Sequence, residues 1–409
     1  MAQHLKIVSL IRPGPYVYSL YKDQFGLKET IVAALFTTGF LSGAVSGYFV
    51  GQWADKFGRK AACMVFCVTY SIACFSTLAP NVPLLFVGRT FGGISTSLMY
   101  SAFESWMVTE YHKRQMDNAG MSLSNMYGTM TTLNSIVAII AGVSSEYLVQ
   151  FTHTKRAPFM ASAALLSIAF WIILGCWVNI LAFSQLQYIS LENVLTVFQT
   201  ENHGDSHKTS DTATTSTPAK NALKIFFTDK RILTLGLASC FFEGSMYLFV
   251  FFWSPALKSA SKNDNLPFGM IFACFMSAVT LGSLIFNALT SSRIISHSRL
   301  LTIIFATASS SLLVPIITKN PHLTFWSFCI FEGCVGMYWP SVGYLKGRFI
   351  EDGIRARIYG MLRIPLNMFV VVALSLVREG EEYRNLVFMV CSGLLVVTSG
   401  IFHHFVREQ

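Results

Sequence analysis

Apolar residues run in long stretches along this chain, without the two-residue alternation of a half-buried strand or the single stripe of a surface helix. A helix needs about 20 mostly apolar residues to cross a bilayer core. Runs of that length recur at about 30–52, 61–79, 82–108, 122–150, 157–183, 233–257, 267–290, 299–318, 322–345, 356–377 and 386–406, closed by charged, proline or glycine-rich breaks. One interval differs. From Thr200 to Lys220, Ser, Thr, Asp, His and Asn follow one another with no apolar period, a composition that cannot bury enough surface to fold. The pattern predicts an all-α chain with a first bundle at 1–183, a cytosolic linker at 184–230 and a second bundle at 231–409. Ahead of the first full span, Pro13-Gly14-Pro15 leaves pieces too short to cross, so a leading helix reads as truncated.

Composition strengthens this reading. The 409 residues are 53% hydrophobic and only 12% charged, with a mean hydropathy of +0.51, well away from a soluble domain. A net charge of +9 would suggest nucleic acid in a soluble protein. Here the basic residues sit between apolar stretches, where loops on the cytosolic face place them. With the Lys56–Lys60 turn in the cytosol, that side holds seventeen basic residues against nine. Leaving out five in or beside the linker gives twelve against nine, a modest bias of the expected sign. The nine cysteines lie inside apolar stretches without metal-ligand spacing and read as reduced packing residues. No P-loop, triad spacing or dinucleotide fingerprint is present, so neither enzyme chemistry nor a cofactor is expected. The pairs His203/His207 and His403/His404 are too isolated to expect a metal.

The most specific motif is Gly51-Gln52-Trp53-Ala54-Asp55-Lys56-Phe57-Gly58-Arg59-Lys60, at the turn between the first two full spans. Gly51 and Gly58 allow two helix ends to approach, Asp55 can pair with a cation, and Arg59 and Lys60 hold the turn in the cytosol. The spacing resembles the signature of the major facilitator superfamily, which implies twelve helices in two pseudo-symmetric bundles, a midplane cavity and alternating access, with this turn as a conformational latch. Upstream, Gly39, Gly43, Gly47 and Gly51 form one helical stripe suited to close backbone contact in lipid.

Charged residues inside spans mark candidate sites. An arginine at span depth costs about 2.5 to 3.5 kcal/mol on insertion scales unless it meets protein or water. Arg89 therefore calls for an anionic ligand, an ion partner or snorkelling. Glu104, near the cytosolic end of the same span, fits pairing with the latch. Phe242-Glu243-Gly244 and Phe331-Glu332-Gly333 repeat one tripeptide in two spans, followed by Tyr247 and Trp253 in one and Tyr338 and Trp339 in the other. Glu243 and Glu332 are proton or charge-coupling candidates, or else helix-pairing partners of Arg89 or Arg363. In Arg363-Ile364-Pro365-Leu366-Asn367, a proline frees a backbone carbonyl beside a cation, which suits an anion site or a simple kink.

Taken with Gly14-Pro15-Tyr16-Val17-Tyr18, Ser101 to Trp106 and Trp253-Ser254-Pro255, these motifs resemble the molybdate-anion transporter family over most of the chain from Gly14 onward. The resemblance implies uptake of molybdate or a related oxyanion at the plasma membrane, by a multi-pass protein expected to act as a monomer, with lipid as its only other partner. Two departures stand out. A complete leading helix is expected before Gly14, and a Trp-x-Glu-Asn element is split, with Val178 to Gln199 between Trp177 and Thr200-Glu201-Asn202. The residues themselves leave open whether Arg89, Arg363, Asn367, Trp253 and Tyr338 receive an oxyanion or a neutral solute such as a sugar, or whether the chain is a membrane scaffold or receptor.

Overall fold

The computed structural model describes residues 16–57, 59–113, 123–183, 228–261, 266–291, 295–350, 355–377 and 380–405. Among them the chain forms eleven long helices and no strand. A short helical segment, Val17–Ser19 with Leu20–Gln24, leads into them. The first half contains α1 (Glu29–Phe57), α2 (Arg59–Phe75), α3 (Val82–Lys113), α4 (Leu123–Thr152) and α5 (Ala157–Phe183). The second contains α6 (Lys230–Ser261), α7 (Phe268–Ser291), α8 (His297–Ile317), α9 (Pro321–Phe349), α10 (Arg355–Ser375) and α11 (Glu381–Phe405). All eleven coincide with the expected spans. Several run further, because polar residues at a span end continue the helix into the headgroup layer. The linker interval 184–227 lies outside the described residues, as do residues 1–15.

Lipid supplies no hydrogen bonds, so each helix satisfies its own backbone and presents apolar side chains outward. Leu41, Val45, Phe49, Trp171, Val396 and others stand exposed accordingly. Attraction between helices must then come from close packing and hydroxyl pairs. In the first half α1 packs on α3, and α2 packs on α3 and α5. Gly39, Gly43 and Gly47 face Arg89, Gly93 and Ser97 of α3, and Ser97 Oγ donates to Gly43 O at 2.7 Å. Ser309 and Ser392 join α8 to α11 at 2.8 Å in the same way. Eight described cysteines are free; seven are buried, while Cys274 is exposed and is not the packing residue expected.

The halves meet where α4 lies along α7 and α9, and where α1 lies along α10. Among the described residues, eight of the eleven helices hold an apolar stretch of full crossing length, and α3, α9 and α10 are the other three. Those three carry Arg89, Glu332, Tyr338, Arg363 and Asn367. Helix α6 is the most enclosed, with 78% of its apolar stretch buried against 22% for α1. It packs on α9, α10 and α11. These three helices and the most enclosed one thus bring the polar side chains to the interior.

Candidate functional site: charged groups at lipid depth

With the Lys56–Lys60 turn in the cytosol, α3 begins at the outer face, and Arg89 lies seven residues in, about 10 Å from that end. Its guanidinium packs 5.0 Å from the ring centre of Tyr21 and 4.6 Å from that of Phe36. Such stacking holds a cation in an apolar setting but satisfies none of its N–H donors. Nε and Nη2 are buried and have no hydrogen-bond partner among the described residues. Phe36 in turn meets Phe251 of α6 edge-on at 5.1 Å, and Tyr18 meets the same ring at 5.4 Å. The arginine is therefore held near the seam between the halves by the leading segment and α1, with donor capacity unused.

A second polar centre lies deeper. Glu243, thirteen residues into α6, is 3% exposed. Its Oε1 accepts the Tyr338 phenol O–H at 3.0 Å and lies 3.6 Å from Lys346 Nζ. The Tyr338 ring is fully buried and stacks on Phe242 at 4.1 Å. The sequence offered Arg89 and Arg363 as partners for the buried acids; the structure pairs Glu243 with Lys346, a residue assigned from the sequence to a cytosolic loop. Glu332, 6% exposed on α9, forms no ion pair or hydrogen bond among the described residues.

The remaining candidates are dispersed. On α10 Arg363 is half-buried and Asn367 is 9% exposed, flanking Pro365. Trp253 is packed among Phe268 at 5.8 Å and Phe275 at 5.3 Å. Of the latch, Gly58 lies outside the described residues. Gly51 and Asp55 close α1, Arg59 and Lys60 open α2, and Glu104 sits in α3, but their side chains lie outside the described residues as well.

Three groups escaped the sequence reading. Glu146, buried near the outer end of α4, accepts Tyr16 O–H at 2.6 Å, the Gly269 N–H of α7 at 2.8 Å and Gln150 Nε2 at 3.3 Å. Asp23 bonds Lys155 at 3.0 Å and Lys258 at 2.8 Å, joining the leading segment to both halves. Lys346 is the third. A lone acid inside an apolar run was a visible signal for Glu146, but its partners lie 130 and 123 residues away.

Two sets of apolar helices, with charged side chains buried at the seam and within the second set, define a polytopic membrane transporter of the major facilitator kind. The fold is shared with the nucleoside transporter NupG, at a TM-score of 0.65 and 13% identity over all of both chains. The family described as sugar transporters with 12 transmembrane segments matches residues 5–185 and 181–330. The molybdate-anion transporter of Takifugu rubripes is 31% identical over 376 residues, spanning 90% of this chain and 76% of that protein. Those of Danio rerio and Xenopus tropicalis are 28% and 25% identical, over 90% and 91% of this chain and 76% of each relative. The chain belongs to the molybdate-anion transporter family of the major facilitator superfamily and is an integral multi-pass membrane protein.

Proposed function

We propose that the protein takes up molybdate or a closely similar small oxyanion across the plasma membrane by alternating access. The observation that carries this is Arg89, whose two buried donor nitrogens, Nε and Nη2, have no partner among the described residues although the side chain is fixed between two rings. A planar fork of donors suits the oxygens of a tetrahedral anion. Arg363 supplies a second cation on α10, and the curated relatives bear the molybdate name. In this reading the bundles 1–183 and 231–409 rock about the seam, joined by 184–230. Gly51, Asp55, Gly58, Arg59, Lys60 and Glu104 latch the cytosolic end. Glu243 and Glu332 balance charge or carry protons, and Asn367, Tyr338 and Trp253 complete the surroundings.

A second reading, favoured by the sugar-transporter family description, is carriage of a neutral solute along Trp253, Tyr338, Trp339 and Asn367. The Trp253 indole is 4% exposed, packed against Phe268 and Phe275, which leaves it little surface to offer a sugar ring. Uptake of labelled molybdate by cells expressing the chain separates the two. Tungstate should compete and glucose should not, and Arg89→Leu or Arg363→Leu should lower uptake about tenfold or more at unchanged surface protein. Competition by sugar alone, or full uptake in both variants, would refute the oxyanion reading.

A further inference from the structure

Lys346 lies three residues from the cytosolic end of α9, and a lysine so placed ordinarily extends toward water. It turns inward instead. Its side chain keeps 15% of its exposure, and Nζ lies 3.6 Å from a Glu243 carboxylate that keeps 4%. Tyr338, eight residues or about 12 Å of rise further along the same helix, donates its phenol O–H to the same oxygen. One helix thus presents an ammonium and a hydroxyl to an oxyanion, and that oxyanion is the carboxylate of another helix, α6. The other groups near these two are Ser239, whose Oγ lies 3.4 Å from the Tyr338 hydroxyl, Cys240 and Tyr247 on α6, and Tyr359 of α10, whose ring centre is 5.7 Å from Nζ; Glu332 lies six residues from Tyr338 on α9.

We propose that Lys346 and Tyr338 form the cytosolic-side binding pair for the transported oxyanion, and that the Glu243 carboxylate occupies this pair as an internal stand-in until substrate displaces it. This rests on the oxyanion reading and gives it a second station beyond Arg89. Both occupants offer the same chemistry: terminal oxygens with negative charge that accept from an N–H and an O–H. The exchange leaves the ammonium partnered in both states.

The alternative role for this ion pair is purely structural, and the two diverge when both charges are removed. A structural pair is replaced harmlessly by two neutral side chains of similar size. A binding pair is not. The experiment measures initial rates of labelled molybdate uptake, normalised to surface protein, in wild type, Lys346→Met, Lys346→Arg, Glu243→Gln and the double variant Glu243→Gln/Lys346→Met. The proposal expects Lys346→Met and the double variant to fall about tenfold or more. Lys346→Arg should keep part of the rate, and Glu243→Gln should lower the half-saturating molybdate concentration because the competing carboxylate is gone. Recovery of wild-type uptake in the double variant, or an unchanged half-saturation in Glu243→Gln, would overturn it. If Glu243→Gln does not reach the surface, the neutral double variant still decides. A wild type that imports sugar and no oxyanion would instead refute the reading on which the proposal rests.

Discussion

The outer and inner ends of the seam between the halves are held by different means. At the outer end the ties are polar and reach across: Glu146 of α4 accepts from the first turn of α7, and Asp23 bridges Lys155 and Lys258. Toward the inner end, the described contacts between halves use small and hydroxyl groups: Thr132 with Ser283 at 2.7 Å, Gly128 against Asn287, and Gly343 against the Tyr127 ring. Among the described residues, the ion pair nearest that end, Glu243 with Lys346, stays within the second half. Polar ties break at a cost but can be remade with water, whereas small-residue contacts slide with little resistance. On the alternating-access reading proposed above, the outer ties are the closure to be released and the described small-residue contacts are the surface that slides.

The largest expected effect comes from the outer knot. Glu146→Ala strands the Tyr16 hydroxyl and the Gly269 N–H, and the purified protein should lose about 2 to 4 kcal/mol of stability, read as a lowered melting midpoint. A midpoint within a degree or two of wild type would show that the knot holds nothing. Next comes a matched pair of glycines. A Cβ on Gly142 would sit 3.0 Å from Gly269 O and 3.2 Å from the Ala273 nitrogen, backbone atoms that cannot yield locally. Gly142→Ala should therefore separate α4 from α7 at the outer end and cost about 1 to 2 kcal/mol. At the inner end, a Cβ on Gly343 would meet the Tyr127 ring at 3.1 Å, and a ring can shift. Gly343→Ala should cost below about 1 kcal/mol in the same melting assay; equal losses in the two variants would erase the distinction. The smallest effect belongs to Asp23→Asn. Its pairs keep 20 to 28% side-chain exposure, so about 0.5 kcal/mol is expected, and high salt should abolish even that.

Much of this architecture was legible in advance. Each long apolar run became a helix, since crossing length is set by the bilayer and a backbone in lipid has few other choices. The glycine stripe at Gly39, Gly43 and Gly47 met a facing helix for the same local reason. Partnerships were not legible. Counting positive charges by loop placed Lys346 in the cytosol, because its position at a helix end says nothing of which way four methylenes point. Glu146 passed unremarked because the residues that make it matter lie on other helices. Arg89 could be flagged from its depth alone, but the stacking of Tyr21 and Phe36 that leaves its donors unused required the fold.

On the oxyanion reading, Arg89 supplies the donors that hold the anion. Molybdate added to the purified protein at about 100 times its dissociation constant should stabilise it by about 2.7 kcal/mol, seen as a raised melting midpoint. That shift is expected in wild type and should be lost in Arg89→Leu; an equal shift in both proteins would refute a site at Arg89.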